Sequence, residues 1–315
     1  MVSRTGKKEI SKTMTMNDHI TQFLHYLSVK NFSPRTIEAY QHDLSKFVEF
    51  LESLNRANVK TVSRDDIGLF LSHLKNEGYK KPNSAITMAR KIASIKSFFK
   101  WLTRRKVLKE NPAIDIETPK IPEREPSYLT QEEYQRLLAT VKFKATPYYC
   151  LRDLAIVGMF LGTGVRLSEL VGLKLENINL QESQESICVR GKGNKERTIP
   201  LNANVLNALA TYLKKRPEVE SKFLFLSRLG DGLSTGGVYH LIKRYLKEAD
   251  IKKEKVGVHS LRHTFATSLL NNQNVNIIHI QQLLGHKKLE TTRRYLHIND
   301  LDLRNAVNSL VLTKK

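Results

Sequence analysis

A chain of 315 residues, 40% hydrophobic and 26% charged, is long enough for two domains and has the composition of a protein that folds around apolar cores. Its 52 Lys and Arg against 31 Asp and Glu give a net charge of +21, a balance that favours a polyanionic partner, most simply nucleic acid. The two cysteines exclude a disulfide framework, no apolar run approaches the roughly 18 residues of a membrane span, and MVSRTGKKEISKTMTM lacks the apolar centre of a secretion signal.

Residues 1–15 are polar and basic and read as a flexible leader. Helical spacing then begins near Asn17, with Ile20, Phe23, Leu24 and Leu27 on one face. Ser33-Pro34 supplies a cap and a favoured first helical residue for a second helix carrying Ile37, Tyr40, Leu44, Phe47, Val48 and Leu51. Ser63 and Asp66 open a third helix (Ile67, Phe70, Leu71, Leu74). A fourth runs from Ser84 to Trp101 with Ile86, Ala89, Ile92, Ile95, Phe98, Phe99 and Leu102 as its stripe. Residues 16–108 are thus expected to form a four-helix domain without strands. Its basic residues, among them Arg35, Arg90, Lys91 and Lys96, are read as exposed positions that can contact phosphates.

The proline-rich stretch 109–127 reads as a linker, and Thr130 with Glu133 forms a capping box that opens a second domain, 128–315. There Leu151–Leu161 is an apolar helix running into Gly162-Thr163-Gly164, followed by Arg166 and Glu169 three residues apart. Ser186–Arg190 and Arg197–Leu201 read as a β-hairpin whose glycine-rich turn holds Lys192. Residues 202–215, 234–250, 263–271 and 276–284 read as helices. Gly285 is placed to end the last of these in a left-handed conformation, leaving His286 just beyond it. Cys150 and Cys188, among apolar neighbours, read as buried thiols of a reducing cytoplasm. The expected architecture is mainly α, with a small antiparallel sheet in the second domain.

His259 and Arg262 lie three residues apart, His286 follows in Leu-Gly-His, and Tyr295 comes nine residues later in TTRRYLHI. Imidazoles, a guanidinium and a phenol suit phosphoryl transfer onto tyrosine. His259 and His263 have the spacing of a zinc helix, but Ser260 stands where a metalloprotease has its Glu, so no metal is expected. His263, His279 and His297 read as packing or surface residues.

TGVRLSELVGL, GKGNKERTIPL, HSLRHTFAT, LLGH and TTRRYLHI occur in that order across the C-terminal part of the chain. In these stretches the chain resembles the tyrosine recombinases, the phage-integrase family, and most of all their Xer-like members. The resemblance implies an N-terminal core-binding domain of SAM-like fold and a mostly helical catalytic domain that together grip duplex DNA at a recombination site. It implies catalytic roles for Arg166, Lys192, His259, Arg262, His286 and the nucleophile Tyr295, with Glu169 holding the site behind them. Cleavage through a 3′-phosphotyrosyl link would lead to strand exchange through a Holliday junction, without metal, ATP or other cofactor. A homo- or hetero-tetramer on two sites is expected, with the tail 303–315 docking on a neighbouring protomer, in a cytoplasmic protein at the nucleoid. Arg293 and Arg294 depart from relatives that carry less charge before the tyrosine. Two alternatives keep the fold: a DNA-binding regulator without catalysis, and a relaxing enzyme like the type IB topoisomerases.

Overall fold

The computed structural model describes residues 14–79, 81–121, 127–191, 195–254, 256–271, 275–286 and 292; Lys192, Tyr295, Arg293, Arg294, His297 and the tail 303–315 lie outside these described residues. The chain divides into two compact units, residues 1–123 and 124–315.

The first unit holds α1 (Met16–Val29), α2 (Pro34–Ser53), α3 (Arg64–Asn76) and α4 (Ala85–Arg104). Side chains satisfy the exposed amides at each start: Thr15 and Ser63 pair reciprocally with Asp18 and Asp66, while Ser33 and Ser84 accept from Thr36 and Thr87. Phe23, Phe47, Phe70, Phe98 and Phe99 are fully buried and meet in edge and tilted ring contacts 5.1–6.1 Å apart, such as Phe47–Phe70 and Phe47–Phe99. Ala113 and Ile116 join this core, which therefore extends into the segment expected as a linker.

Two expectations for α4 are corrected. Ile86 is 55% exposed, and Met88 takes its place in the stripe beside Ile92, Ile95, Phe98, Phe99 and Leu102, which are buried as expected. A helix turns about 100° per residue, which puts Ile86 on the opposite side from that stripe. Lys91 is not a surface cation: its side chain is 6% exposed and its ammonium lies 3.2 Å from the fully buried Asp43 carboxylate. Four residues before Ile95, it falls on the core face, and Asp43 neutralises it there. Arg90 pairs with the same carboxylate while remaining half exposed, Arg35 is exposed, and Lys96 is intermediate.

The second unit begins with α5 (Gln131–Lys144), α6 (Pro147–Thr163) and α7 (Leu167–Gly172). A 3-10 turn and the strands β1 (Ile178–Asn179), β2 (Ser186–Arg190) and β3 (Glu196–Pro200) follow, then α8 (Ala203–Lys215), α9 (Thr235–Glu248), α10 (Val258–Leu270) and α11 (Ile277–Leu284). The sheet is antiparallel in the order β1-β2-β3, with Val189 opposite Arg197 and Arg190 opposite Glu196. One continuous core gathers Ile156, Phe160, Leu170, Ile187, Ile199, Leu209, Tyr245 and Leu261; α10 and α11 add a small cluster of Phe265, Ala266, Ile280 and Leu284.

The helix expected from residue 263 starts five residues earlier, because Val258, Leu261 and Phe265 share one buried face. His259 and Arg262 therefore both sit within α10. The cysteines are half buried rather than buried. Cys188 alternates with the inward Ile187 and Val189 along β2, so the pleat turns it to the other face. No described helix is long and apolar enough to cross a membrane.

Candidate active site

The site is built around the C-terminal end of α11. Gly285 adopts φ 63° and ψ 45°, the left-handed conformation that ends a helix cheaply only in glycine. Its amide donates to Gln282 O and the amide of His286 to Gln281 O, closing a Schellman turn. The next carbonyls point outward without helical partners, at the negative end of the helix dipole.

Three guanidiniums occupy that end. Arg197 donates through Nε to Leu283 O at 2.8 Å, Arg262 through Nη2 to Leu284 O, and Arg166 through Nη2 to Gly285 O at 3.2 Å. Each comes from a different element: Arg166 from the start of α7, Arg197 from β3 and Arg262 from the buried face of α10. Arg262 also donates to Gly164 O at the end of α6, so one buried side chain caps two helices. Gly164 is left-handed as well, and a Cβ there would stand 2.4 Å from the Phe265 ring.

Glu169 offsets part of this charge. It receives the Arg166 amide at 2.8 Å and the Arg166 Nη1 at 2.8 Å, while Arg197 forks onto its two oxygens at 2.8 and 2.9 Å. Burial alone would raise this carboxyl, but the hydrogen bonds and charge of Arg197 and Arg166 outweigh it and hold the group at about 2. Three cations against one carboxylate leave the cluster with a net positive charge, with Arg166 one-third exposed.

His286 stands with Nε2 3.2 Å from Arg262 Nη2 and Nδ1 2.9 Å from the hydroxyl of the buried Thr292. Burial first, and then the charges of Arg262, Arg166 and Arg197, lower its pKa to about 4. The imidazole is therefore neutral near pH 7. Arg262 has only hydrogens to offer, so Nε2 is the acceptor and the proton rests on Nδ1, which donates to Thr292. His259 lies exposed in the first turn of α10, one turn before Arg262.

The structure thus brings Arg166, Glu169, Arg262 and His286 into one hydrogen-bonded group. Lys192 and Tyr295 fall outside the described residues, although Gly191 at the base of the Lys192 turn lies against Glu169. Arg197 is the residue that sequence reasoning missed. A signal was present: it shares the inward face of β3 with Ile199, an unusual place for a charge. Among the described residues no group of three or more His, Cys, Asp or Glu side chains is placed to hold a metal.

The phage integrase family model matches residues 127–301, and the SAM-like N-terminal domain of phage integrases matches 20–106. The tyrosine recombinase XerC of Caldanaerobacter subterraneus subsp. tengcongensis is 38% identical, over 94% of this chain and 87% of that protein. This chain is a tyrosine recombinase of the phage integrase family.

Tyrosine recombinases are enzymes that cleave and rejoin DNA, and this one is of the XerC and XerD type. The tyrosine recombinase XerD of Listeria innocua is 38% identical over 92% of this recombinase and 97% of the relative. The XerH site-specific recombinase, solved in a pre-cleavage complex with its difH substrate, shares the fold at a TM-score of 0.72 and 23% identity, covering 96% of this chain and 86% of that one.

Proposed function

We propose that this recombinase exchanges strands between two DNA sites through a covalent tyrosine intermediate. Tyr295 attacks the scissile phosphorus, an Oη–P bond forms and the bond to the 5′ oxygen breaks, leaving a 3′-phosphotyrosyl link and a free 5′ hydroxyl. His259, exposed one turn from Arg262, takes the phenolic proton, and Lys192 delivers a proton to the departing 5′ oxygen. Arg166 and Arg262 neutralise the non-bridging oxygens as charge redistributes in the transition state. The observation that carries this reading is the convergence of guanidiniums on the end of α11, because a cluster with cations in excess over Glu169 attracts an anion.

His286, with its proton on Nδ1, serves as an acceptor that orients Arg262. Because the bond energy is kept in the ester, the free hydroxyl of a second duplex can reverse the step, which permits strand exchange through a Holliday junction in a tetramer. The basic surface of the first unit, with Arg35, Arg90 and Lys96, would add phosphate contacts on the same duplex, in the company of the nucleoid.

The test uses a nicked suicide substrate bearing a site recovered by binding selection, incubated in EDTA with wild-type protein or Tyr295→Phe. A covalent protein–DNA band on a denaturing gel with wild type alone is the expected result. Specific binding with no adduct from either protein would replace this reading with that of a regulator. Relaxation of plasmid lacking the site would point to a topoisomerase.

A further inference from the structure

The mechanism above makes no use of Arg197, yet all three nitrogens of its guanidinium are engaged in the site. Its fork holds both oxygens of Glu169, its Nε holds Leu283 O, and its side chain lies directly under Gly285, where an added Cβ would approach Cδ at 3.1 Å. Glu169 in turn grips Arg166, and Arg166 returns to Gly285 O. The contacts close a ring through β3, α7 and the end of α11. Arg197 itself is only 13% exposed, with Arg166 at 34% nearer to solvent. Each of its three nitrogens is taken by a carboxylate oxygen or a carbonyl of the protein, which marks it as a holder of the site rather than a ligand of the phosphate that Arg166 receives.

We infer that Arg197 is a positioning residue for strand cleavage: it sets Arg166 through Glu169 and fixes the end of α11 against the β2–β3 hairpin. This rests on the reading of Arg166 as a phosphate-binding residue. Only a planar fork with a third donor at right reach can hold a carboxylate by both oxygens and a carbonyl at once. A lysine in its place keeps the charge and at most part of the ring.

The discriminating experiment compares cleavage with binding on the suicide substrate for Arg197→Lys, Arg197→Gln, Glu169→Gln and the double variant Arg197→Gln with Glu169→Gln. Misplacing a catalytic group by about 1 Å costs roughly 100-fold in rate. Arg197→Lys should therefore lose about 10- to 100-fold in single-turnover cleavage, while Kd for the uncleaved site changes less than about 3-fold and the melting transition stays cooperative. Because Arg197 acts through Glu169, the double variant should be scarcely slower than the slower single one. Cleavage within about 3-fold of wild type for Arg197→Lys would overturn the inference, as would losses that multiply in the double variant. Parallel collapse of cleavage, binding and melting in Arg197→Lys would also overturn it, by reducing Arg197 to a fold-holding residue. Arg166→Ala in the same assay separates the two readings: if wild type forms no adduct, the catalytic reading itself fails, and if Arg166→Ala alone is impaired, only the role of Arg197 does.

Discussion

His286 shows how much of the site is decided by a single proton. Its two ring nitrogens face a guanidinium and a hydroxyl, and burial adds to the cost of a second charge beside Arg262 and Arg166. A pKa of about 4 lies below the ordinary 6.5. The sign follows from linkage: below 6.5 the unfolded chain binds a proton that the folded chain refuses. The contribution of His286 to stability is therefore complete above 6.5 and is lost as pH falls toward 4. Ring-nitrogen NMR should find His286 neutral and protonated at Nδ1 at pH 6, while an exposed histidine is already titrating. Arg262→Gln should raise its pKa, because the largest charge opposing protonation is gone. A His286 resonance that titrates near 6.5 in the wild type would show that the guanidiniums do not press on it as described.

The elements are held in place by glycines whose needs differ, and substitution should separate them. Gly164 ends α6 with φ +61°, and a Cβ there meets the Phe265 ring at 2.4 Å and Leu284 at 3.1 Å. Left-handed strain and overpacking against a buried ring each cost about 1–3 kcal/mol, so Gly164→Ala should destabilise the second unit by about 3 kcal/mol or more. Gly158, in the middle of α6, has nothing within 4 Å of its missing Cβ, and Gly158→Ala should stabilise by roughly 0.5–1 kcal/mol. Urea titration of the two variants would check both signs. Much of this framework was legible in the sequence: the caps at Ser33, Ser63 and Thr130, the β2–β3 hairpin and the left-handed stop at Gly285 all rest on local chemistry. What was illegible depends on distant partners. The two-residue strand β1 exists only because β2 pairs with it, and Arg197 matters only because the fold brings Glu169 and Leu283 to it from 28 and 86 residues away. Lys91 is an intermediate case, since helix phase alone would have put it inside, while the partner that makes burial tolerable, Asp43, lies 48 residues away.

At the scale of the whole molecule the net charge of +21 governs how the protein meets DNA. Each phosphate neutralised releases condensed counterions, and log K falls with log salt by about 0.9 per contact on duplex DNA. Binding should therefore weaken steeply between low and physiological salt, and the variants of the first unit should fall into two classes. Arg35 is exposed, and Arg35→Ala should lower the slope by about one while leaving the melting temperature unchanged. Lys91 is buried against Asp43, so Lys91→Ala removes no phosphate contact and should leave the slope as in wild type. It should instead destabilise its unit by about 1–3 kcal/mol, because Asp43 stays buried with Arg90 and Ser94 as its remaining partners. Fluorescence anisotropy across a salt series, paired with thermal melts, reads both quantities on the same proteins. A fall in slope for Lys91→Ala with no change in melting would mean that this ammonium leaves Asp43 to bind DNA, and that the charge pair at the centre of the helical unit opens on the duplex.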